Sequence, residues 1–236
     1  MKQGTIIMIA LSVLMLLGCS EQKDVSSPTY RLWYDEPAEK WIEALPVGNG
    51  RMGAMVFGDP NNERIQFNEE SLWAGTKIDN NNPQALEHLP EIRELIFEGS
   101  YQKAYEMANQ YLLGTPPRIR SYQTFGDLFL NYQWDSEVKD YRRELDLRTG
   151  IATTTFTAGE NKVKQEVFAS APGNLIAVHV SASEPFDVEV NMKRERDAKV
   201  EFLSDGKMIM NGQIVDPKEP SRGPAGPHMK FSALAE

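Results

Sequence analysis

The sequence predicts a mainly β protein, an antiparallel β-sandwich with a short helical insertion. Three observations carry this reading. From Tyr141 onward, short runs with period-two alternation follow one another, separated by Gly- and Asn-containing turns. No helical period intervenes among them, which argues against βαβ units. Only Leu89 to Leu112 spaces its apolar residues as helices do. A hydrophobic share of 41%, with 4 Trp, 8 Tyr and 10 Phe, is ample for a core, and 236 residues fit one large domain or slightly more.

The N-terminus stands outside that core. Lys2 supplies a positive start, and Ile6 to Leu17 is an apolar run interrupted by Ser12. The run is too short to cross a bilayer core of roughly 30 Å comfortably, so residues 1–19 read as a signal peptide. Its end, Leu16-Leu17-Gly18-Cys19, resembles the bacterial lipobox, which implies a mature chain starting at a lipidated Cys19. Cys19 is the only cysteine, so no internal disulfide can form. Residues 20–29 (SEQKDVSSPT) are polar and read as a flexible tether, with folded structure expected from Tyr30.

Gly48 to Gly53 satisfies G-x-G-x-x-G, with Glu70 downstream at ribose-contact distance. That fingerprint needs a helix N-terminus to hold pyrophosphate. Here Ala54 to Phe57 is strand-like, Gly58 to Asn62 is a turn cluster, and Glu63 to Phe67 is strand-like again. The glycines therefore read as a turn into a buried hairpin, and no dinucleotide or other cofactor is expected.

Leu89 to Glu98 places Ile92, Leu95 and Ile96 on one helical face. A second helix over Tyr101 to Leu112 turns Ala104, Met107, Ala108 and Tyr111 inward, with Gly99-Ser100 between the two. Strands follow at Glu144 to Arg148, Ile151 to Ala158 and Lys162 to Ser170. In the last, Val163, Gln165, Val167 and Ala169 share one face. Gly159-Glu160-Asn161 turns this pair into a hairpin. Further strands are expected at Leu175 to Ser183, Phe186 to Lys193, Val200 to Leu203 and Lys207 to Asn211, with Asp205-Gly206 as a hairpin turn. Pro217 to Pro227 is a Pro/Gly-rich loop. His228 to Ala235 begins another strand, and the domain over 30–236 is expected to be incomplete at that end.

Lys+Arg 25 against Asp+Glu 34 gives a net charge of −9, which argues against a nucleic-acid partner. His88, His179 and His228 are scattered without companions at ligand spacing, so no metal is expected. His179 alternates with Val178 and Val180 and is placed on the outer sheet face.

An ordered set of segments carries a resemblance: Leu45 to Gly58 (LPVGNGRMGAMVFG), Ile65 to Gly75 (IQFNEESLWAG), Asn81-Asn82-Pro83, the helical Leu89 to Leu113, Tyr122 to Leu130 (YQTFGDLFL), Tyr141 to Leu147 (YRRELDL) and Glu166 to Pro172 (EVFASAP). Together they resemble the N-terminal domain of glycoside hydrolase family 95, the inverting α-L-fucosidases and related α-L-galactosidases. The resemblance runs from Arg31 to Asn191. It implies a β-supersandwich followed by a helical linker, a catalytic (α/α)6 barrel and a C-terminal β domain. It also implies that the catalytic acid and base lie in the barrel, with no catalytic residue in this chain and no fucose release by the chain alone. Fucose and galactose remain open as the preferred sugar.

Within the chain, Glu69-Glu70 and Glu36/Glu39 are carboxylate pairs by composition. Adjacent residues on a strand point to opposite faces, so Glu69 and Glu70 are expected to be solvated or paired with Asn or Arg. Asn68, Glu69, Trp73, Tyr122 and Gln123 are the substrate-binding or interdomain candidates. An aromatic face can stack a sugar while amides and carboxylates take hydroxyls. Two alternatives stay open for Trp73: a sugar-facing loop residue, or a core or interdomain one. Two function classes stay open as well. One is the front part of an exported, outer-membrane-anchored fucosidase-type hydrolase whose partners are a glycan substrate, the barrel and, through the anchor, the membrane. The other is a non-catalytic surface lipoprotein binding glycans or proteins.

Overall fold

The computed structural model describes residues 30–236. The signal peptide expected over 1–19, with Cys19, and the tether expected over 20–29 lie outside the described residues. In chain order the strands are β1 (Arg31–Tyr34), β2 (Leu45–Gly48), β3 (Met52–Val56) and β4 (Asn62–Glu69). The helices α1 (Ala85–Phe97) and α2 (Tyr101–Tyr111) follow. Next come β5 (Gly126–Tyr132), β6 (Val138–Asp146), β7 (Ile151–Ala158), β8 (Asn161–Ser170) and β9 (Leu175–Ala182). The chain closes with β10 (Val188–Lys193), β11 (Ala198–Phe202), β12 (Met208–Asp216) and β13 (Gly226–Ala235).

These strands make three antiparallel sheets. The first runs β1-β6-β7-β8-β9, the middle one β10-β5-β4-β3-β2, and the small third one β11-β12-β13. Leu45, Val47, Val56 and Ile65 of the middle sheet meet Leu145, Ala152 and Val167 of the first in one apolar cluster. A second cluster joins Leu72, Phe125 and Met192 to Met208, Met210, Ile214 and Phe231 of the third sheet. Each buried Val, Leu, Ile, Met or Phe among them contributes about 1.5–3 kcal/mol relative to exposure. The antiparallel sandwich predicted from the sequence is what the chain forms, with the helices as an insertion between β4 and β5.

Local chemistry explains the joints. Gly159 takes the first central position of the two-residue β7–β8 turn with φ of 62°, a conformation that glycine tolerates and two-residue hairpins require. Gly99 ends α1 with φ of 79°; its N–H donates to Ile96 O and the Ser100 N–H to Leu95 O, a Schellman ending. The Gly48–Gly53 glycines lie in the β2–β3 hairpin, where Gly48 pairs with Gly53, so no helix opens there.

Several boundaries differ from expectation. β6 starts at Val138 and ends at Asp146, so Leu147 lies beyond the strand and is exposed. α1 begins at Ala85, a turn before Leu89, and carries Pro90 inside it. Ile92 is buried and Leu95 half-buried, whereas Ile96 is exposed. β10 begins after Phe186, which instead packs on the first cluster.

The sandwich interior also holds polar groups. Glu63 of β4 and Gln165 of β8 are buried, and Gln165 accepts a 2.6 Å hydrogen bond from the Tyr132 hydroxyl. Glu63 Oε1 accepts from the Phe57 and Gly58 N–H groups at 3.2 and 2.9 Å. Arg143, 2% exposed, donates to Glu36 O at 2.8 Å and Glu43 O at 2.7 Å, and its guanidinium lies over the Tyr34 ring. Gly58 sits against these groups: a Cβ there would fall 2.7 Å from the Tyr141 hydroxyl and 2.9 Å from Arg143 Cδ.

Candidate functional site at the neck of the insertion

The chain leaves the middle sheet after Glu69 and returns to it at Gly126. Two short segments close the neck of this excursion. Trp73 and Tyr122 form an antiparallel bridge, the Ala74 N–H donates to Ser121 O at 3.1 Å, and the Gln123 N–H donates to Leu72 O at 2.9 Å. Leu72 and Ala74 point into the second core cluster, so alternation turns Trp73 outward. Trp73 is 43% exposed and Tyr122 is 38% exposed, their ring centroids 5.4 Å apart and tilted by 59°. Trp73 is thus a surface residue and not a core one.

Four of the five candidates gather here, with Asn68 just beneath. The Tyr122 hydroxyl donates to Glu69 O at 2.9 Å, and Trp73 Nε1–H to Glu70 O at 3.1 Å. Gln123 Oε1 accepts from Arg196 at 3.3 Å. Asn68 Oδ1 accepts the Phe125 N–H at 2.9 Å, so its role in this structure is to fix the backbone before β5.

Glu69 is fully engaged. Its Oε1 accepts from Arg51 Nε at 3.0 Å, and its Oε2 accepts from the Ser71 N–H at 2.9 Å and the Ser71 hydroxyl at 2.6 Å. Partial burial opposes ionisation, but the bonds from Ser71 and Arg51 outweigh it and hold the carboxyl below its ordinary range. Such a group has no proton to give near neutral pH. Glu70 lies in the turn beyond β4, so strand alternation does not govern it, and it is exposed. Burial, followed by the Glu69 and Glu70 charges, raises the Tyr122 hydroxyl.

Beside Trp73 opens a shallow hollow of about 510 Å³, walled by Arg118, Arg120, Ser121 and Arg222. Arg120 is buried, pairs with Asp216 at 3.7 Å and donates to Pro217 O and Gly223 O. Arg222 donates to the Ser121 hydroxyl at 2.7 Å. These arginines tie the β12–β13 loop to the neck, while Arg118 faces solvent. The arrangement offers an aromatic platform, amide and guanidinium donors, and a carboxylate that already accepts three hydrogen bonds.

Sequence reasoning missed the arginine wall, and it missed Glu63, the carboxyl raised most strongly. A period-two reading of β4 puts Glu63 on the face of Ile65, which was the available signal. Full burial keeps Glu63 from any substrate. His88 stacks on Tyr111 at 3.6 Å between the helices, and His179 lies on the outer face of β9, 3.5 Å from Glu166. His228 is buried. Among the described residues, no three His, Cys, Asp or Glu side chains gather as a metal site would require.

A family model described as the N-terminal domain of glycosyl hydrolase family 65 matches residues 32–235. The chain belongs to this family of glycoside hydrolase N-terminal domains. As a family member it is also similar to Alpha-L-fucosidase 2 of Arabidopsis thaliana, 35% identical over 190 residues, which are 75% of this chain and 22% of that protein. Probable alpha-fucosidase A of Aspergillus niger is 33% identical over 162 residues, 64% of this chain and 20% of the relative. Its namesake in Aspergillus oryzae is 31% identical over 171 residues, 69% and 22%. The chain spans about a fifth of the length of these relatives. The fucosidase-type resemblance read from the sequence is therefore borne out for this N-terminal domain, although the family model carries the number 65 and not 95.

Proposed function

We propose that this chain serves an exported, lipid-anchored glycoside hydrolase of the family 95 kind, which removes α-L-fucosyl or α-L-galactosyl units from glycans by inversion. The observation that carries the reading is the match of this domain to relatives named as fucosidases. In this reading the acid and base belong to a helical barrel outside these residues, and Trp73, Tyr122 and Gln123 face either the bound glycan or that barrel. The engaged Glu69 supports a binding role for the neck, because inverting hydrolysis needs one protonated and one ionised carboxyl flanking the bond. The half-exposed aromatic pair also suits the second reading, a non-catalytic glycan-binding lipoprotein.

Two measurements test the proposal together. Sequencing the gene beyond the Glu236 codon is expected to find an in-frame barrel-coding region, and the chain alone is expected to release no fucose from 2′-fucosyllactose. A stop codon with no such region nearby favours the second reading. Fucose release that disappears in Glu69→Ala would move the chemistry into this domain.

A further inference from the structure

The outward face of the first sheet carries a second polar hollow. Register aligns Trp33 opposite Glu144, Glu144 opposite Thr153, Thr153 opposite Glu166, and Glu166 opposite His179, one row across all five strands. At about 4.8 Å per strand, the row spans about 19 Å. The neighbouring rows contribute Arg31 and Asp146 on one side and Arg142, Thr155 and Lys164 on the other. Of these side chains, all but Trp33 and His179 wall a concavity of about 350 Å³, a size suited to a small ligand.

Its charges balance. Arg31, Arg142 and Lys164 oppose Glu144, Asp146 and Glu166, and they are paired within the wall. Glu144 is held between Arg31 at 3.2 Å and Arg142 at 2.9 Å. Arg31 also reaches Asp146 at 3.4 Å, and Lys164 reaches Glu166 at 2.7 Å. A carboxylate clamped between two guanidinium groups is positioned before any ligand arrives, which lowers the ordering cost of binding. At the edge, Trp33 is 55% exposed, with the Arg142 guanidinium 4.7 Å from its ring centroid. Ile151 is the one aliphatic side chain in the wall, so the face is too polar for a docking protein core.

We propose that this charge-balanced hollow, with Trp33 at its edge, binds a neutral oligosaccharide laid across the strands. Charge balance disfavours an ionic ligand, and the scarcity of apolar surface disfavours an apolar one. A neutral glycan meets both conditions. A C–H face of one sugar stacks on Trp33, while vicinal hydroxyls donate to the free lone pairs of Glu144 and Glu166 and accept from Arg31, Arg142 and Lys164. The hydrogen bond from Lys164 holds the Glu166 carboxyl below its ordinary range, so it remains an acceptor. The inference stands on a different sheet from Trp73 and does not depend on the hydrolase reading.

The test is calorimetric titration of the full chain with cellotetraose, xylotetraose and maltotetraose, and with a heparin-derived tetrasaccharide. At least one neutral tetrasaccharide is expected to bind, with affinity falling by about tenfold or more in Trp33→Ala and in Glu144→Gln. Thr153→Arg, which fills the floor of the hollow, is expected to abolish binding while leaving the melting midpoint in place. Trp33 is exposed at an edge strand, and a variant that failed to fold would be replaced by Thr153→Arg as the deciding one. Failure of all three neutral ligands overturns the proposal. So does preference for the heparin fragment, or loss of binding in Trp73→Ala instead of Trp33→Ala.

Discussion

Gln165 of β8 donates through Nε2 to Glu63 Oε2 of β4 at 2.7 Å, a polar pin through the apolar layer between two sheets. Burial raises the Glu63 carboxyl to about 7, opposed by hydrogen bonds from Gly58, Gln165 and Phe57 and reinforced by the Asp59 charge. The neighbouring hydroxyls of Tyr132 and Tyr141 are themselves raised, chiefly by burial.

The folded protein therefore holds this proton more tightly than the unfolded chain does. The stabilising contribution is complete below the unfolded carboxyl value of about 4.3 and is lost as pH rises through about 7. Urea unfolding should show stability falling by about 3–4 kcal/mol across that window from this group. Glu63→Gln should flatten the decline, because the amide does not ionise, and a flipped Gln165 amide can accept from the new side chain. An identical slope in the variant would remove Glu63 from the account.

Arg143 forks to Glu36 O and Glu43 O and stacks on Tyr34, which pins the segment between β1 and β2. Lysine keeps the charge but lacks the planar fork. Arg143→Lys is expected to cost about 2–4 kcal/mol and to open residues 35–44 to limited proteolysis. Protection equal to the parent protein would show that the fork is dispensable.

Gly212 lies under a ring. A Cβ there would stand 2.2 Å from Phe231 Cζ and 2.5 Å from Asp197 O. Phe231 packs edge-on against Phe125 with centroids 5.1 Å apart, so displacing it loosens the third sheet from its support. Gly212→Ala should cost about 2–3 kcal/mol in a thermal melt. Gly206→Ala, with open space around it and φ of 80°, should cost about 1 kcal/mol from backbone strain alone. Equal losses would mean that the Phe231 contact is unimportant.

Trp73→Ala removes one half-exposed ring and one hydrogen bond, so unfolding should shift by only about 1 kcal/mol. Under the hydrolase reading proposed above, a protein that carries the barrel should lose kcat/KM on a fucosylated oligosaccharide several-fold with the same change. Unchanged kinetics would make the neck purely structural.

Cys19 provides the anchor test. Radiolabelled palmitate is expected to label the protein expressed with residues 1–19, and Cys19→Ser to abolish the label. A palmitate label that survives this change would rule out acylation at Cys19.

The sequence made the regular parts visible and hid what depends on distant partners. The β7–β8 hairpin was legible because Gly159 and a clean alternation coincide. Gln165 fell on the buried face by that alternation, yet nothing local announced Glu63 as its partner 102 residues earlier. β1 and β5 went unread because short edge pairing and a mixed GDLFLNY run lack a strong period. Trp73 and Tyr122 were each visible as an aromatic beside polar residues. Their bridge was not, because it requires both ends of a long insertion to return to one place.

Phe67 and Leu128 pack in both apolar clusters, so the first and third sheets cover the same face of the middle sheet and meet over β4 and β5. Deuterium should consequently enter the molecule in a fixed order. The amides of α1 and α2, whose outer faces leave Leu86, Phe97 and Tyr105 in solvent, exchange through local opening. Those of β4 and β5, under the seam where the two covering sheets meet, exchange only when that shared cover has come away, and they therefore mark the slowest clock in the domain.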